Sequence, residues 1–272
     1  MDIQAYVKEN KAYLKHLVST KMDVTLCIIQ VGDNPASNSY IKGKLADCRE
    51  VGIAADLVRL EETVTTEYLI DFIKELNDSD SIDGIIVQLP LPSHINIKKV
   101  QLAIAPKKDV DGFHPMSKFT PCTPSGVVNF LLDNNYEFKG KRALVIGRSD
   151  IVGKPLAQML TDLNCTVTLA HSKTPSKVLL DCIENSDIVF TAINRIEYFS
   201  MDSAPYFKKV PIIIDVGLGK NSQGKLKGNL STELVYYLRD QGLEVISGVG
   251  GIGLLTRLQL LVNTIEAKKY HK

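Results

Sequence analysis

The chain has only five cysteines in 272 residues, and no two of them form a C-x-x-C pair. An odd, scattered set (Cys27, Cys48, Cys122, Cys165, Cys182) implies neither a disulfide framework nor a zinc site. Neither sign of charge is in excess: 32 Lys and Arg stand against 31 Asp and Glu, for a net charge of +1. That balance gives no support to nucleic-acid or other polyanion binding. No apolar run approaches a transmembrane span, and the opening Met-Asp-Ile-Gln-Ala-Tyr lacks signal-peptide architecture. Internal repeats are absent, as are low-complexity tracts outside a few Pro/Gly-rich loops. With 44% hydrophobic residues and a mean hydropathy near zero, these absences predict a cytoplasmic, metal-free globular protein with no membrane partner. The length allows one large or two ordinary domains.

What is present centres on Arg142 to Leu160. Ala143 to Ile146 is a continuous apolar run, as expected of a strand buried on both faces of a parallel sheet. Gly147 ends it, and a helical pattern (Leu156, Met159, Leu160, Leu163) follows. Strand, glycine turn and helix in that order set backbone N–H groups where a phosphate can sit. The dinucleotide fingerprint G-x-G-x-x-G reads here G-x-S-x-x-x-G, from Gly147 through Ser149 to Gly153, so an ordinary strand–helix turn stays open as the alternative. Cys165 to Ala170 reads as the next parallel strand. Where an NAD site places an Asp or Glu, this chain has Ser172 and Lys173, with Arg148 in the turn. Donors in place of an acid favour NADP over NAD; a solvated Lys and Arg on two loops is the plainer reading.

The first half repeats β-then-α order: a helix over residues 2–20, a strand from Val24 to Val31, a helix that Ser37 is expected to cap, and a strand from Ala55 to Leu60. A helix through Leu76 and a strand from Asp83 to Val87 follow. This predicts a parallel α/β unit. Residues 105–126 turn rich in Pro and Gly, as in a linker or site-forming loop. A helix from Ser125 leads into the nucleotide half, with later strands at Asp187–Thr191, Val210–Asp215 and Glu244–Ser247 and a last apolar helix from Leu254 to Ala267.

Three places can carry chemistry. Tyr40 and Lys44, four apart on one helical face, can share one site. A lysine among apolar or cationic neighbours can lose its proton near neutral pH and act as a general base; a solvated helix face is the alternative. Gln88 directly follows a buried strand, where open parallel sheets bind ligands, or it is a polar strand cap. Asp109 and Asp111 sit in a Pro/Gly-framed loop, either as partners for a flat heterocycle with adjacent N–H donors or as turn residues.

Taken together and in order, Gly32-Asp-Asn-Pro-Ala-Ser37 with Tyr40-x-x-x-Lys44, Ile86-Val-Gln-Leu-Pro-Leu-Pro92, Lys108-Asp-Val-Asp-Gly-Phe-His-Pro115, Pro121-Cys-Thr-Pro-x-Gly126, Gly147-Arg-Ser-x-Ile-Val-Gly-x-Pro155 and Ile214-Asp-Val-Gly217 resemble the methylenetetrahydrofolate dehydrogenase/cyclohydrolase family over essentially the whole chain. The resemblance implies an α/β fold of two domains with a cleft between them. These are a catalytic domain over 1–119 with the C-terminal helix 254–272 returning to it, and a Rossmann-like NADP domain over 120–253. It also implies a homodimer formed mainly through the nucleotide domains, and tetrahydrofolate derivatives as substrates. The implied reaction is NADP-dependent oxidation of methylene- to methenyl-tetrahydrofolate, then hydrolysis to formyl-tetrahydrofolate. On matching positions Lys44 is the proton-transfer residue, Gln88 holds and tunes it, Tyr40 stacks on the folate and Asp111 binds the pterin edge. Gly250 and Gly251 fall on the substrate side; Gly147, Arg148, Ser149, Gly153 and Ser172 hold the NADP.

The chain departs from the family on the nicotinamide side. The loop after Pro115 is short, the usual A-x-G-x-P reads Ala192-Ile-Asn-Arg-Ile196, and the Gly-rich segment Ile246 to Thr256 has lost its prolines. The first strand that usually precedes the opening helix is absent. A cyclohydrolase with little dehydrogenase activity is therefore the alternative expectation, and a binding paralogue that keeps only the folate site is a third.

Overall fold

Residues 1–21 and 23–271 are described by a computed structural model. The chain divides into two units, one formed by Asp2–Cys122 with the chain from Arg257 onward, the other by Thr123–Thr256 with Met1.

The first unit runs α1 (Ile3–Lys21), β1 (Thr25–Val31), α2 (Pro35–Val51), β2 (Ala54–Leu60), α3 (Thr66–Asp78), β3 (Gly84–Val87) and α4 (Ile97–Ala103). Its sheet is parallel, in the order β2–β1–β3. After Thr25 every residue of β1 is buried, which is why its sequence is a near-continuous apolar run. Gln30 is the polar exception; its carboxamide donates to Asn38 Oδ1 (2.8 Å) and accepts from Arg59 Nε (3.3 Å), so burial leaves no amide unpaired. Cys27, Ile29 and Val31 pack with Leu69 and Ile73 of α3 in the core. Because β2 and β3 flank β1 on opposite sides, the connections diverge beyond the carboxyl end of β1. In open parallel sheets such a divergence is where ligands bind.

The start of α2 differs from expectation. Asn34, not Ser37, is the cap: Asn34 Oδ1 accepts from the Ser37 N–H (3.2 Å). Pro35 opens the helix, where its missing N–H costs nothing, and so places the cap at Asn34, three residues before Ser37. Ser37 lies buried in the first turn and donates to the Leu89 carbonyl (3.3 Å).

The second unit runs α5 (Cys122–Asp133), β4 (Arg142–Ile146), α6 (Gly153–Asp162), β5 (Thr166–Ala170), α7 (Ser176–Glu184), β6 (Ile188–Thr191), α8 (Ala204–Phe207), β7 (Ile212–Asp215), a short antiparallel pair β8 (Gly219–Lys220) and β9 (Leu226–Lys227), α9 (Thr232–Asp240) and β10 (Glu244–Ile246). The main sheet is parallel, β10–β7–β6–β4–β5. Leu144, Val189, Ile213, Phe207 and Leu234 form its core. Here the switch point lies beyond β4, between β5 and β6.

The last helix, α10 (Gly253–Ala267), passes from the second unit to the first. Asn263 Nδ2 donates to the Val110 carbonyl (2.9 Å), Arg257 Nε to Asp47, and Lys268 pairs with Asp83 (3.2 Å). The stretch Gly248–Tyr270 corrects one expectation: on length and composition it is apolar enough to cross a membrane. Since 56% of its most apolar 18-residue window is buried within the fold, its apolar character is accounted for by core packing.

Candidate active site

In the first unit, α2 and the end of β3 bring Lys44 and Gln88 together. Lys44 is only 8% exposed, and its Nζ donates to Gln88 Oε1 (3.1 Å). Gln88 is itself oriented, because its Nε2 donates to the Leu89 carbonyl (2.7 Å). Among the described residues Lys44 makes no ion pair, so the buried amine faces a neutral acceptor. The helix is fixed one turn further on: Asp47, 5% exposed, accepts from Lys11 Nζ (2.5 Å) and from Arg257 Nε. Tyr40 stands one turn earlier and is 43% exposed. The face Tyr40–Lys44–Cys48 thus grades from an open ring through a buried amine to the core.

The 105–112 loop supplies the third group. Ile85 donates to the Lys108 carbonyl (2.7 Å), and Ile85 and Asp109 form a parallel bridge, so the loop runs beside β3 toward the end where Gln88 stands. Lys108 anchors it from below. Wholly buried, its Nζ donates to the Leu76 (2.9 Å) and Ser79 (2.6 Å) carbonyls, closing the carbonyl end of α3 where a cation is favoured. Gly112 then turns sharply, with φ +69°; a Cβ there would lie 2.4 Å from Pro121 N. The turn sets Asp111 against Cys122, whose thiol is raised well above its ordinary pKa by burial and the Asp111 carboxylate, with the Lys44 ammonium opposing. Lys44 and Gln88 are thus in direct contact, and the loop that carries Asp111 runs beside the strand that leads to Gln88.

Asp109 plays a different part. It is fully buried, one oxygen accepting from the His114 N–H (2.6 Å) and the other, Oδ1, without a partner among the described residues. Burial pushes its pKa up to about 6. A carboxyl raised on folding contributes stability below its unfolded pKa and loses it as pH rises to the folded one, here about 3 kcal/mol in all, of which about 1.4 kcal/mol is lost above pH 5. Asp109→Asn, which keeps the acceptor for His114, should therefore gain stability relative to the parent between pH 5 and pH 7.5. Denaturant melts at both pH values measure this; a pH-independent difference would contradict it.

In the second unit the loops after β4, β5 and β6 enclose a cavity of about 440 Å³ lined by Gly147, Arg148, Ser149, His171, Ser172, Thr174, Ala192 to Arg195 and Tyr198, with Ile146 and Leu179 at its apolar side. Gly147 and Gly153 are required by close approach. A Cβ on Gly153 would stand 1.9 Å from the Gly147 carbonyl oxygen, and one on Gly147 2.2 Å from that of Ala192. Ser149 Oγ accepts from the Val152 (3.2 Å) and Gly153 (3.3 Å) N–H groups at the head of α6, which leaves its own proton for a ligand. The lining contains two guanidiniums, an imidazole and several hydroxyls but no carboxylate, so it suits an anionic ligand with an apolar end, as a phosphorylated dinucleotide has.

Lys173, expected as a further donor, does not line this cavity. Gly250 and Gly251 lie in the Gly248–Ile252 turn before α10, Gly250 with φ +89° and no atom within 4 Å of a Cβ there. His171, Thr174, Arg195 and Tyr198 were not anticipated; only the His-Ser-Lys-Thr run after β5 hints at the first two.

The description "tetrahydrofolate dehydrogenase/cyclohydrolase, catalytic domain" matches residues 1–111, and the NAD(P)-binding domain of the same family matches residues 121–272. The chain is 42% identical over 255 residues to the bifunctional protein FolD of Streptococcus agalactiae, covering 89% of this chain and 86% of that one. Its fold is similar to the bifunctional methylenetetrahydrofolate dehydrogenase/cyclohydrolase from Campylobacter jejuni, with TM-score 0.89 and 35% identity over 100% of this chain and 98% of that one. It is also similar to the Trypanosoma brucei dehydrogenase-cyclohydrolase complexed with NADP and an inhibitor, with TM-score 0.87 and 29% identity over 99% and 97%. Both halves match in sequence and in fold, and the chain belongs to the tetrahydrofolate dehydrogenase/cyclohydrolase family.

Proposed function

We propose that this protein oxidises methylene-tetrahydrofolate to methenyl-tetrahydrofolate with NADP and hydrolyses the product to formyl-tetrahydrofolate. The observation that carries the reading is the buried Lys44–Gln88 pair at the end of β3. Hydrolysis adds water to the electrophilic methenyl carbon, so a proton must leave the water as the C–O bond forms. Gln88 Oε1 accepts one N–H of Lys44 and so fixes the direction of its nitrogen; in its free-amine form that nitrogen takes the proton. The same amine, now an ammonium, returns a proton to the ring nitrogen as the C–N bond breaks. Asp111 is suited to accept from the adjacent N–H donors of the pterin, and the open Tyr40 ring offers a stacking face.

NADP, when bound, would supply the hydride acceptor for the oxidation step. The second unit contributes binding and orientation: the Gly147–Gly153 turn and Ser149 for the diphosphate, and Arg148 and Ser172 for the 2′-phosphate. The hydrolase-only reading is less favoured, because the nucleotide cavity is formed despite Asn194. The same reading includes a cytoplasmic location and a homodimer through the nucleotide unit.

Arg148→Ala tests the cofactor assignment. Removing a charge-assisted contact that only NADP makes should raise the NADP KM by about 10- to 100-fold and shift that of NAD much less. Equal losses would remove Arg148 from 2′-phosphate recognition.

A further inference from the structure

We infer that Asn229 is a positioning residue for the cofactor half of the reaction, holding the loop after β6 in the shape that lines the nucleotide cavity. The inference rests on the NADP reading above and deepens it. Ala192, Ile193, Asn194, Arg195 and Tyr198 all line the cavity, yet this loop has neither the glycine at 194 nor the proline at 196 that the resemblance leads one to expect. Its ends are tied by main-chain bonds, Ala192 N–H to the Ile146 carbonyl (2.7 Å) and Glu197 N–H to the Gly228 carbonyl (2.8 Å). Between them, among the described residues, the backbone of Ile193–Ile196 is bonded by one side chain alone.

That side chain is Asn229, 1% exposed. Its Nδ2 donates to the Ile193 (2.8 Å) and Arg195 (2.7 Å) carbonyls, and its Oδ1 accepts from the Ile193 N–H (3.1 Å). A carboxamide offers two donors and an acceptor, and the loop presents the matching set. Asn229 is held in turn by Asp215: Oδ1 accepts from the Asn229 N–H (2.9 Å) and from Thr191 Oγ1 (2.8 Å), and Oδ2 from the Leu230 N–H (3.1 Å). Gly217 leaves the necessary room, since a Cβ there would lie 2.0 Å from Asn229 Oδ1. The clamp therefore runs from the end of β7 through Asn229 to the loop. By holding the Arg195 carbonyl it also sets where the Arg195 guanidinium stands, 5.1 Å from the Tyr198 ring centroid and in the same cavity as Arg148.

Asn229→Asp tests this with almost no change of volume. It keeps the acceptor for Ile193 but turns two donors toward carbonyl oxygens as lone pairs. The measurements are the NADP KM in the oxidation, the cofactor-free hydrolysis of methenyl-tetrahydrofolate, and NADPH binding by fluorescence between pH 5 and 8. The NADP KM should rise by about tenfold while hydrolysis stays within about twofold. NADPH affinity should recover in part toward pH 5, where a protonated carboxyl regains one donor. Asn229→Ala should show the same KM rise without the pH recovery. An unchanged NADP KM would overturn the inference; so would equal loss of both activities or failure of both variants to fold, each of which marks a merely structural role. A parent protein that binds no NADPH would instead overturn the cofactor reading itself, and the inference with it.

Discussion

Lys44→Met should lower hydrolysis of methenyl-tetrahydrofolate by about 100- to 10,000-fold, the range lost with a positioned acid–base group. Methionine fills nearly the same volume with an unbranched apolar chain, so a site that already buries all but 8% of Lys44 accepts it without a cavity. What is lost is chemical: no nitrogen remains to take the proton of the attacking water or return it to the departing ring nitrogen. Gln88 Oε1 also loses the donor it now accepts at 3.1 Å. NADPH binding should persist, because no cavity-lining residue changes. Hydrolysis at the parental rate, followed by the decay of methenyl absorbance, would exclude Lys44 from the mechanism.

Gly153→Ala should remove most of the cofactor affinity, raising the NADP KM by about 100-fold. The new methyl would meet the Gly147 carbonyl oxygen at 1.9 Å, the Gly147 carbonyl carbon at 2.5 Å and Arg148 Cα at 3.0 Å. All three are backbone atoms, so no side chain can swing aside; the turn between β4 and α6 must open. Such overpacking costs about 1–3 kcal/mol or more, and here it falls on the N–H groups and the Ser149 hydroxyl assigned to the diphosphate. Methenyl hydrolysis should survive, since Lys44, Gln88 and Asp111 belong to the other unit. A near-parental NADP KM would show that the turn is not the phosphate cradle.

The strands were legible because parallel sheets bury both faces. Ala143–Ile146 and Ile85–Val87 carry no polar alternation, and each is stopped by the residue that turns toward a site, Gly147 or Gln88. Helix α4 was not legible. Seven residues with only Val100 buried carry too little periodicity, although Asn96 supplies a cap, its Oδ1 accepting from the Lys99 N–H (3.1 Å). The Ser37 cap was misplaced because Pro35 starts the helix earlier than the apolar pattern does.

Within the site, Lys44 and Gln88 stood out as residue types in strand-end and helix-face positions, but their contact spans 44 positions and only the fold supplies it. Asn229 left no trace in the sequence. Lys227-Gly-Asn-Leu-Ser231 reads as an ordinary turn, and the carbonyls it clamps lie 34 and 36 positions away. Lys108 was hidden for the same reason: its partners are carbonyls at the end of α3, which no side-chain pattern marks.

The most direct test of the whole account is a paired absorbance assay on the purified protein, one arm following NADP reduction with methylene-tetrahydrofolate and the other the loss of methenyl-tetrahydrofolate without cofactor. Turnover is expected in both arms, with Lys44→Met silencing the second. Hydrolysis without NADP reduction would contradict the bifunctional account and place the fault at the Asn194 loop; turnover in neither arm would contradict it entirely.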